Sequence, residues 1–233
     1  MSALGSIAHI ARYPVKSMRG ESVQSADVGF QGLRGDRPFG FVKEGLNSPF
    51  PWLTGRDCPD LLRYQPAWDG DGRWPRLLVT TPEGAVWPVD SDELRKDIEG
   101  RAAQAVRLHS DYRGTHDVAY VSLITMNTVR ALAEAAGVEA DHRRFRMSLV
   151  LEADLPAFAE KEWVGGTIDI GGVRLAVTEQ DRRCNMITLH PETGESAPAV
   201  LKQAGELNGA FAGVYASVLV AGGVEVGDTA RLT

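Results

Sequence analysis

Long apolar runs are missing from this 233-residue sequence, and no stretch approaches the roughly 20 residues that a membrane-spanning helix needs. Membrane insertion is therefore not expected. Met1 to Ile10 lack a basic n-region, a long apolar stretch and a small-residue cleavage site, so a secretory signal is absent and the cytoplasm is the default location. Positive charge is in deficit. The 25 basic residues face 31 acidic ones, and a net charge of −6 repels a phosphate backbone, which argues against nucleic-acid binding but leaves a local basic pocket open. Cysteine is scarce too. Cys58 and Cys184 lie far apart, and a reducing compartment keeps such a pair as separate thiols.

Several motifs of catalysis are also missing. The histidines His9, His109, His116, His142 and His190 show no H-x-x-x-H spacing and no C-x-x-C accompanies them, so a zinc site is not expected. Gly32-x-x-Gly35 and Gly171-Gly172 fit neither a dinucleotide fingerprint nor a P-loop, and both read as turns. No G-x-S-x-G elbow supports a serine hydrolase.

What remains is a pattern of short β-like runs punctuated by glycine and proline. The chain reads as mainly β. Ser6 to Tyr13, Ser22 to Val28 and Phe39 to Lys43 are predicted strands, and Pro82-Glu83-Gly84 joins Leu77 to Thr81 with Ala85 to Val89 as a hairpin. Asp90 and Glu93 in capping-box spacing predict a helix over Leu94 to Glu99 that stops at Gly100. Met126, Val129, Leu132, Ala133 and Ala136 recur at helical spacing from Thr125, with Gly137 as a left-handed cap. Ile168 and Ile170, the Gly171-Gly172 turn, and Val173, Leu175 and Val177 make the clearest hairpin. Pro198 opens a last helix toward Leu207, and Val214 to Val220 and Val224 to Leu232 return to strands. Two lobes divide near Ser110 to Thr115.

One segment carries a chemical motive. In Val177 to Glu195 a strand ends in charged residues, and Arg182 and Arg183 precede a lone cysteine, Cys184. Positive charge beside the sulfur suits a thiolate, which is the nucleophilic form and a soft-metal ligand; a small buried cysteine next to surface arginines is the plainer alternative. Lys16, Ser17 and Arg19 follow Pro14 in a second cluster, where a point charge, a hydroxyl and backbone N–H groups can hold an anion or simply form a solvated turn. Arg37 beside Asp36, and Arg143 and Arg144 after Asp141, are equally compatible with surface ion pairs.

Taken together, these segments resemble the MOSC family, named after the C-terminal domain of molybdenum cofactor sulfurase, with its accompanying N-terminal β-barrel domain. Tyr13-Pro-Val-Lys-Ser17, Gly32-Leu-Arg-Gly-Asp-Arg37 and Thr54-Gly-Arg56 resemble the N-terminal part. Arg144-Phe-Arg146, Arg183-Cys184 with Pro191-Glu-Thr-Gly194, and Val226-Gly-Asp228 resemble the MOSC part. The organisation is most similar to the mitochondrial amidoxime reducing component and to bacterial reductases of N-hydroxylated compounds.

The resemblance implies an α+β, mainly β fold: a MOSC-type β-barrel domain over 111–233 and a smaller β-rich N-terminal domain over 1–110, with a few short helices. It implies a molybdenum cofactor, molybdopterin, with Cys184 as catalytic residue and metal ligand. Lys16, Ser17, Arg37, Arg146 and Arg183 match positions that hold the pterin and its phosphate, and Tyr215 an aromatic position near it. Arg182, Asn185 and Asp117 are weaker neighbours, and Cys58 is read as structural. His190 stands where relatives usually carry an acid. The implied activity is reduction of hydroxylamines or amidoximes to amines, with electrons from a separate donor of ferredoxin or flavin reductase type, because Thr233 follows directly on the Val-Gly-Asp strand. A persulfide carrier using the same cysteine and a non-catalytic cofactor carrier are the rival functions, and pyridoxal phosphate is not expected.

Overall fold

The computed structural model describes residues 2–70 and 75–233. In chain order its strands are β1 (Ser2–Arg12), β2 (Glu21–Val23), β3 (Ser25–Gly29), β4 (Gly32–Leu33), β5 (Phe39–Lys43), β6 (Gln65–Asp69), β7 (Arg76–Thr80) and β8 (Val86–Pro88). They continue as β9 (Val106–Ser110), β10 (Val121–Thr125), β11 (Leu149–Glu152), β12 (Thr167–Ile170), β13 (Val173–Arg182), β14 (Phe211–Val220), β15 (Gly222–Glu225) and β16 (Thr229–Leu232). The helices are α1 (Asp92–Ala102), α2 (Met126–Ala136) and α3 (Ala199–Asn208).

Seven strands close a barrel in the order β11-β10-β14-β13-β12-β16-β1, and β1 returns to pair with β11. The fold is mainly β, as expected. The first strand of the chain thus supplies a stave of the barrel built otherwise from the second half: Ser2–Ser6 pairs with β16 and Ser6–Ile10 with β11. Alternation decides which side chains fill it. Along β13, Val173, Leu175 and Val177 are buried while Arg174 points out and pairs with Asp169. The interior also takes Ile7, Ile10, Leu123, Leu151, Val214 and Trp163; each such aliphatic side chain contributes roughly 1.5–3 kcal/mol by leaving water.

A second core lies in the N-terminal lobe, where Val15, Met18, Phe41, Leu53 and Tyr64 pack with Leu94 and Ile98 of α1. A third joins α2 and α3 to the barrel wall through Val129, Leu132, Val200, Ala204 and Ile187. The site grows at the junction of these three bodies of packing.

Several local expectations hold and others shift. The Gly171-Gly172 hairpin pairs Ile170 with Val173, and Gly137 caps α2 at φ 66°. The span Ser22 to Val28 is two strands, because β2 stays on β1 while β3 leaves to pair with β15 and β4. The cap of α1 is Ser91, whose Oγ accepts from Leu94 N at 3.2 Å, rather than Asp90. Gly100 lies inside α1, since full burial of Leu94 and Ile98 outweighs the roughly 1 kcal/mol that a helical glycine costs. Val224 to Leu232 is broken at Gly227, φ 96°, so β15 joins β3 while β16 enters the barrel.

One buried carboxylate anchors the start of α2. Glu160 is 1 % exposed and accepts from Thr125 N at 2.7 Å, Thr125 Oγ1 at 2.9 Å and Thr128 Oγ1 at 2.9 Å. Negative charge at a helix N-terminus is favoured. Glu160→Ala leaves a buried N–H without an acceptor, and the expected cost in urea unfolding is roughly 3 kcal/mol. A cost below about 1 kcal/mol would show that these donors find other partners.

Candidate functional site

The sequence at the end of β13 is short of apolar residues, and the strand there loses regularity. Its register with β14 shifts between Val177 and Glu179 and again between Gln180 and Arg182, ending at the pair Arg182 with Phe211. Such bulges re-aim side chains. Cys184 follows in extended conformation, immediately before a 3-10 turn over Asn185–Thr188. Arg183 N donates to Ala210 O at 2.8 Å and Ile187 N to Cys184 O at 3.2 Å, so the backbone on both sides of the cysteine is tied down. Its side chain is exposed, which rules out the buried-cysteine alternative.

Cys184 lines a cavity of about 520 Å³. Most candidates from the sequence line it as well: Lys16, Ser17, Arg37, Asp117, Arg146, Arg182, Arg183 and Tyr215; Arg19 of the first cluster faces a separate, smaller hollow. Asn185 does not line the cavity. These residues come from five places in the chain, namely the turn after β1, the turn before β5, the loop before β10, the turn before β11 and the adjacent strands β13 and β14.

Three of the lining residues have a left-handed backbone: Ser17 at φ 65°, Arg37 at φ 53° and Arg146 at φ 54°. Non-glycine residues persist there only when the surroundings impose it, and such strain gathers at ligand sites. Here the imposing network is visible. Asp36, 5 % exposed, accepts from Tyr13 N at 2.6 Å and pairs with Arg37. Arg37 also donates to Arg146 O at 3.0 Å, and Arg146 donates to Met18 O at 2.7 Å. Both guanidiniums lie on the Tyr13 ring, their centres 4.8 Å and 4.2 Å from its centroid.

The other cations are held in similar fashion. Lys16 Nζ donates to Thr115 O at 2.7 Å and pairs with Asp117, while Phe50 and Trp52 flank it at 5.7 Å and 5.6 Å. Arg183 pairs with the buried Asp181, donates to Phe145 O, and stacks on the Phe145 ring at 5.5 Å. Tyr215 stands beside Asp181 on the neighbouring strand.

Comparison with known sequences fits this geometry. Residues 111–231 match the MOSC domain, and residues 4–125 match the MOSC N-terminal beta barrel domain. The chain belongs to the MOSC family. Among curated relatives, a molybdenum cofactor sulfurase of Drosophila willistoni is 27 % identical over 82 % of the chain and 28 % of its own length. The one from Drosophila grimshawi is 26 % identical over 82 % of the chain and 29 % of its length. The chain therefore spans under a third of those relatives. Among solved structures, the YuaD protein from Bacillus subtilis superposes with a TM-score of 0.51 at 14 % identity, covering 100 % of the chain and 96 % of YuaD, and supports the fold.

The electrostatics of this MOSC cavity favour an anion. Six lysine and arginine side chains line it against two aspartates, a local excess of positive charge in a protein whose net charge is −6. Burial pushes Lys16 below its ordinary value, and Asp117 only partly offsets this. Burial likewise pushes Arg146 down to about 10, with the Tyr13 ring opposing and Arg37 adding repulsion. At Arg37 burial works against the charge as well, but Asp36 together with Tyr13, Tyr215 and Asp117 more than restores it. Asp181 and Tyr215 are both raised, chiefly by burial. The Arg183 Nε is buried without a hydrogen-bond partner, and an orphan donor of this kind calls for an acceptor that the protein does not supply. Among the described residues no group of three His, Cys, Asp or Glu side chains could hold a metal. A metal at Cys184 would need its remaining ligands from a bound group.

Two histidines carry a pH signature. His116, in its wall, is pushed down to about 4 by burial and then by Arg37. His142, stacked on His9 with centroids 4.1 Å apart, is pushed down to about 4 by burial and then by His9. Unfolded imidazoles titrate near 6.5. Between those values the unfolded chain binds protons that the folded one refuses, so this stability is present above about pH 6.5 and lost as pH falls toward 4. The melting temperature is expected to drop across that window, and less steeply in a His116→Asn, His142→Asn double variant. An unchanged slope in the variant would contradict the assignment.

Some functional neighbours escaped the sequence reading. Asp181 was findable, because it continues the inward-facing series of β13 beyond the bulge and is 4 % exposed. Tyr13, Phe50 and His116 carry no local signal, since their roles exist only through contacts distant in sequence. Cys58, 5 % exposed, packs in the N-terminal core, in keeping with a structural role. His190 does what an acid at that position could do: its Nδ1 accepts from Glu192 N at 3.2 Å and Thr193 N at 3.3 Å. No helix among the described residues is long and apolar enough to cross a membrane.

Proposed function

We propose that the cavity binds a molybdenum-pterin cofactor, with Cys184 Sγ as the protein's ligand to the metal, and that the loaded protein reduces N-hydroxylated compounds to amines. One observation carries this reading: an exposed cysteine sits on the wall of a cavity with six cations and two carboxylates, and among the described residues no cluster of protein co-ligands accompanies it. Sulfur is the ligand that molybdenum shares with thiolate-rich sites, and planar guanidiniums match phosphate oxygens in pairs. The names of the curated relatives point to the same cofactor.

Lys16, Ser17, Arg37, Arg146 and Arg183 would hold the phosphate and pterin, with Arg182, Asp117 and Tyr215 completing the wall. Ser17 is left-handed, and among the described residues its hydroxyl makes no hydrogen bond within the protein. When bound, the group would supply two-electron reducing chemistry able to remove an oxygen atom from nitrogen. The overall change takes a hydroxylamine or amidoxime, two electrons and two protons to the amine and water. The chain's part would be to hold the cofactor in place through its arginines and to leave the cavity open to the incoming substrate on the side of Cys184. The electrons would come from a separate ferredoxin or flavin reductase, and a cytoplasmic setting suits such a donor.

The test is purification from a molybdenum-replete host, metal analysis, and a reduced-viologen assay with benzamidoxime. Stoichiometric molybdenum with amidoxime turnover supports the reading; a metal-free, inactive protein counts against it. The relatives' name favours a second reading, in which Cys184 carries a persulfide for transfer. Cyanide-releasable sulfur on Cys184 without molybdenum would replace the first reading with that one. Bound cofactor that passes to an apo-molybdoenzyme without turnover would mark a carrier.

A further inference from the structure

The loop between β5 and the 3-10 turn Pro59–Arg63 brings Phe50, Thr54 and Arg56 to the cavity wall. It also brings Gly55 against Met186, where a Cβ would lie 3.0 Å from the methionine Cε. Met186 is two residues beyond Cys184. Arg56 and Cys184 thus line one and the same cavity.

The cations of the cavity fall into two kinds. Lys16, Arg37, Arg146 and Arg183 are each engaged by a carboxylate or a backbone carbonyl, whereas Arg182 and Arg56 are both exposed, and among the described residues Arg182 has neither an ion pair nor an aromatic ring beneath it. Arg56 is exposed, its Nε donates only to Thr54 Oγ1 at 3.4 Å, and no acid pairs with it among the described residues. Its neighbour Asp57 is already taken by Lys43 Nζ at 3.0 Å, Thr54 N at 2.9 Å and Thr54 Oγ1 at 2.8 Å. The guanidinium lies over the Phe50 ring, 5.1 Å from its centroid, and Phe50 is itself 37 % exposed. An arginine resting on an aromatic face presents its two terminal nitrogens as a ready fork.

We infer that Arg56 and Phe50 form a substrate-recognition rim, selecting planar substrates that carry a carboxylate or similar anionic group at the end remote from the N-hydroxylated one. The inference rests on the reading of Cys184 as the reacting end. The fork matches a carboxylate in bidentate fashion, and the exposed part of the Phe50 ring left uncovered by the two cations gives the flat body of the substrate an apolar contact. At a partly exposed site such a contact is worth about tenfold in affinity, or 1.4 kcal/mol.

The experiment compares binding of 4-carboxybenzamidoxime and benzamidoxime to the full chain by calorimetry at low salt, alongside viologen-coupled turnover of both. The carboxylated probe is expected to bind about tenfold tighter. Arg56→Ala should abolish the difference, Arg56→Lys should restore only part of it, and Phe50→Ala should weaken both probes. Equal affinities in the unaltered protein, or a preference that survives Arg56→Ala, would overturn the rim. Loss of the preference with turnover intact sinks the rim alone; no turnover with the preference intact sinks the reductase reading alone.

Discussion

Cys184→Ser is expected to abolish molybdenum retention and amidoxime reduction while leaving the fold unchanged. The serine oxygen is hard where the sulfur is soft, and it is not ionised at neutral pH, so on the proposed reading the metal would lose the one ligand drawn from the chain. Removing even an outer partner of a metal ligand typically costs 10–100-fold in affinity or activity. Loss of the ligand itself should cost at least about 100-fold. Stability should change by no more than about 0.5 kcal/mol, because the side chain is exposed and neither caps a helix nor fills a core. Metal analysis, steady-state rate and urea unfolding on the same preparation read all three quantities. A variant that keeps its molybdenum and a rate within about twofold would remove the basis for placing the metal at this sulfur.

Arg146→Met is expected to do two opposite things at once: stabilise the ligand-free protein and destroy its affinity for the anion. The guanidinium is enclosed, has no acidic partner in hydrogen-bond reach among the described residues, donates to the Met18 carbonyl, and faces the like charge of Arg37. Burial holds its titration down near 10, which expresses how poorly its charge is compensated. Replacing an enclosed charge by an apolar side chain of similar length can stabilise by roughly 1–4 kcal/mol. The low end is expected here, because the packing on Tyr13 is partly kept. A phosphate bound beside Arg37 would instead lose one of its charge-assisted contacts, which is worth about 2–5 kcal/mol, or roughly 30-fold to a few thousand-fold. The pair of readouts is melting temperature without ligand and cofactor content after purification. Parallel loss of both would show that Arg146 is structural and that the anion is held elsewhere. Such opposition between stability and binding is common where a site stores unfavourable charge for a ligand to relieve.

The hairpin at Gly171-Gly172 and the helix α2 were readable because their signals are local: period-two alternation in one case, an apolar stripe with a glycine cap in the other. Helix α1 was readable in existence and less so in its ends. A serine one residue along made the better cap, and packing carried the helix through Gly100. Splitting of Ser22 to Val28 and of Val224 to Leu232 had no local cause. Each run is divided between two sheets because its halves find different partners across the fold.

The same division runs through the site. Sequence spacing could mark Cys184 between charged residues and could group Lys16 with Ser17, and the resemblance assembled these with Arg37, Arg146, Arg183 and Tyr215. Arg56 was visible only as part of a matched motif. Its separation from the other cations depends on Asp57 being occupied by Lys43 and Thr54, which no linear pattern records.

By itself, then, the sequence determined a mainly β chain, its hairpins and helices, and a cysteine embedded in charge, since each of these follows from neighbours a few residues apart. Tertiary structure alone decided that β1 closes the barrel of the second half, that Tyr13 receives two guanidiniums, and that cations from both halves line one cavity. The reason is physical. Burial and charge compensation are properties of enclosed space, and that space exists only once strands distant in sequence have paired.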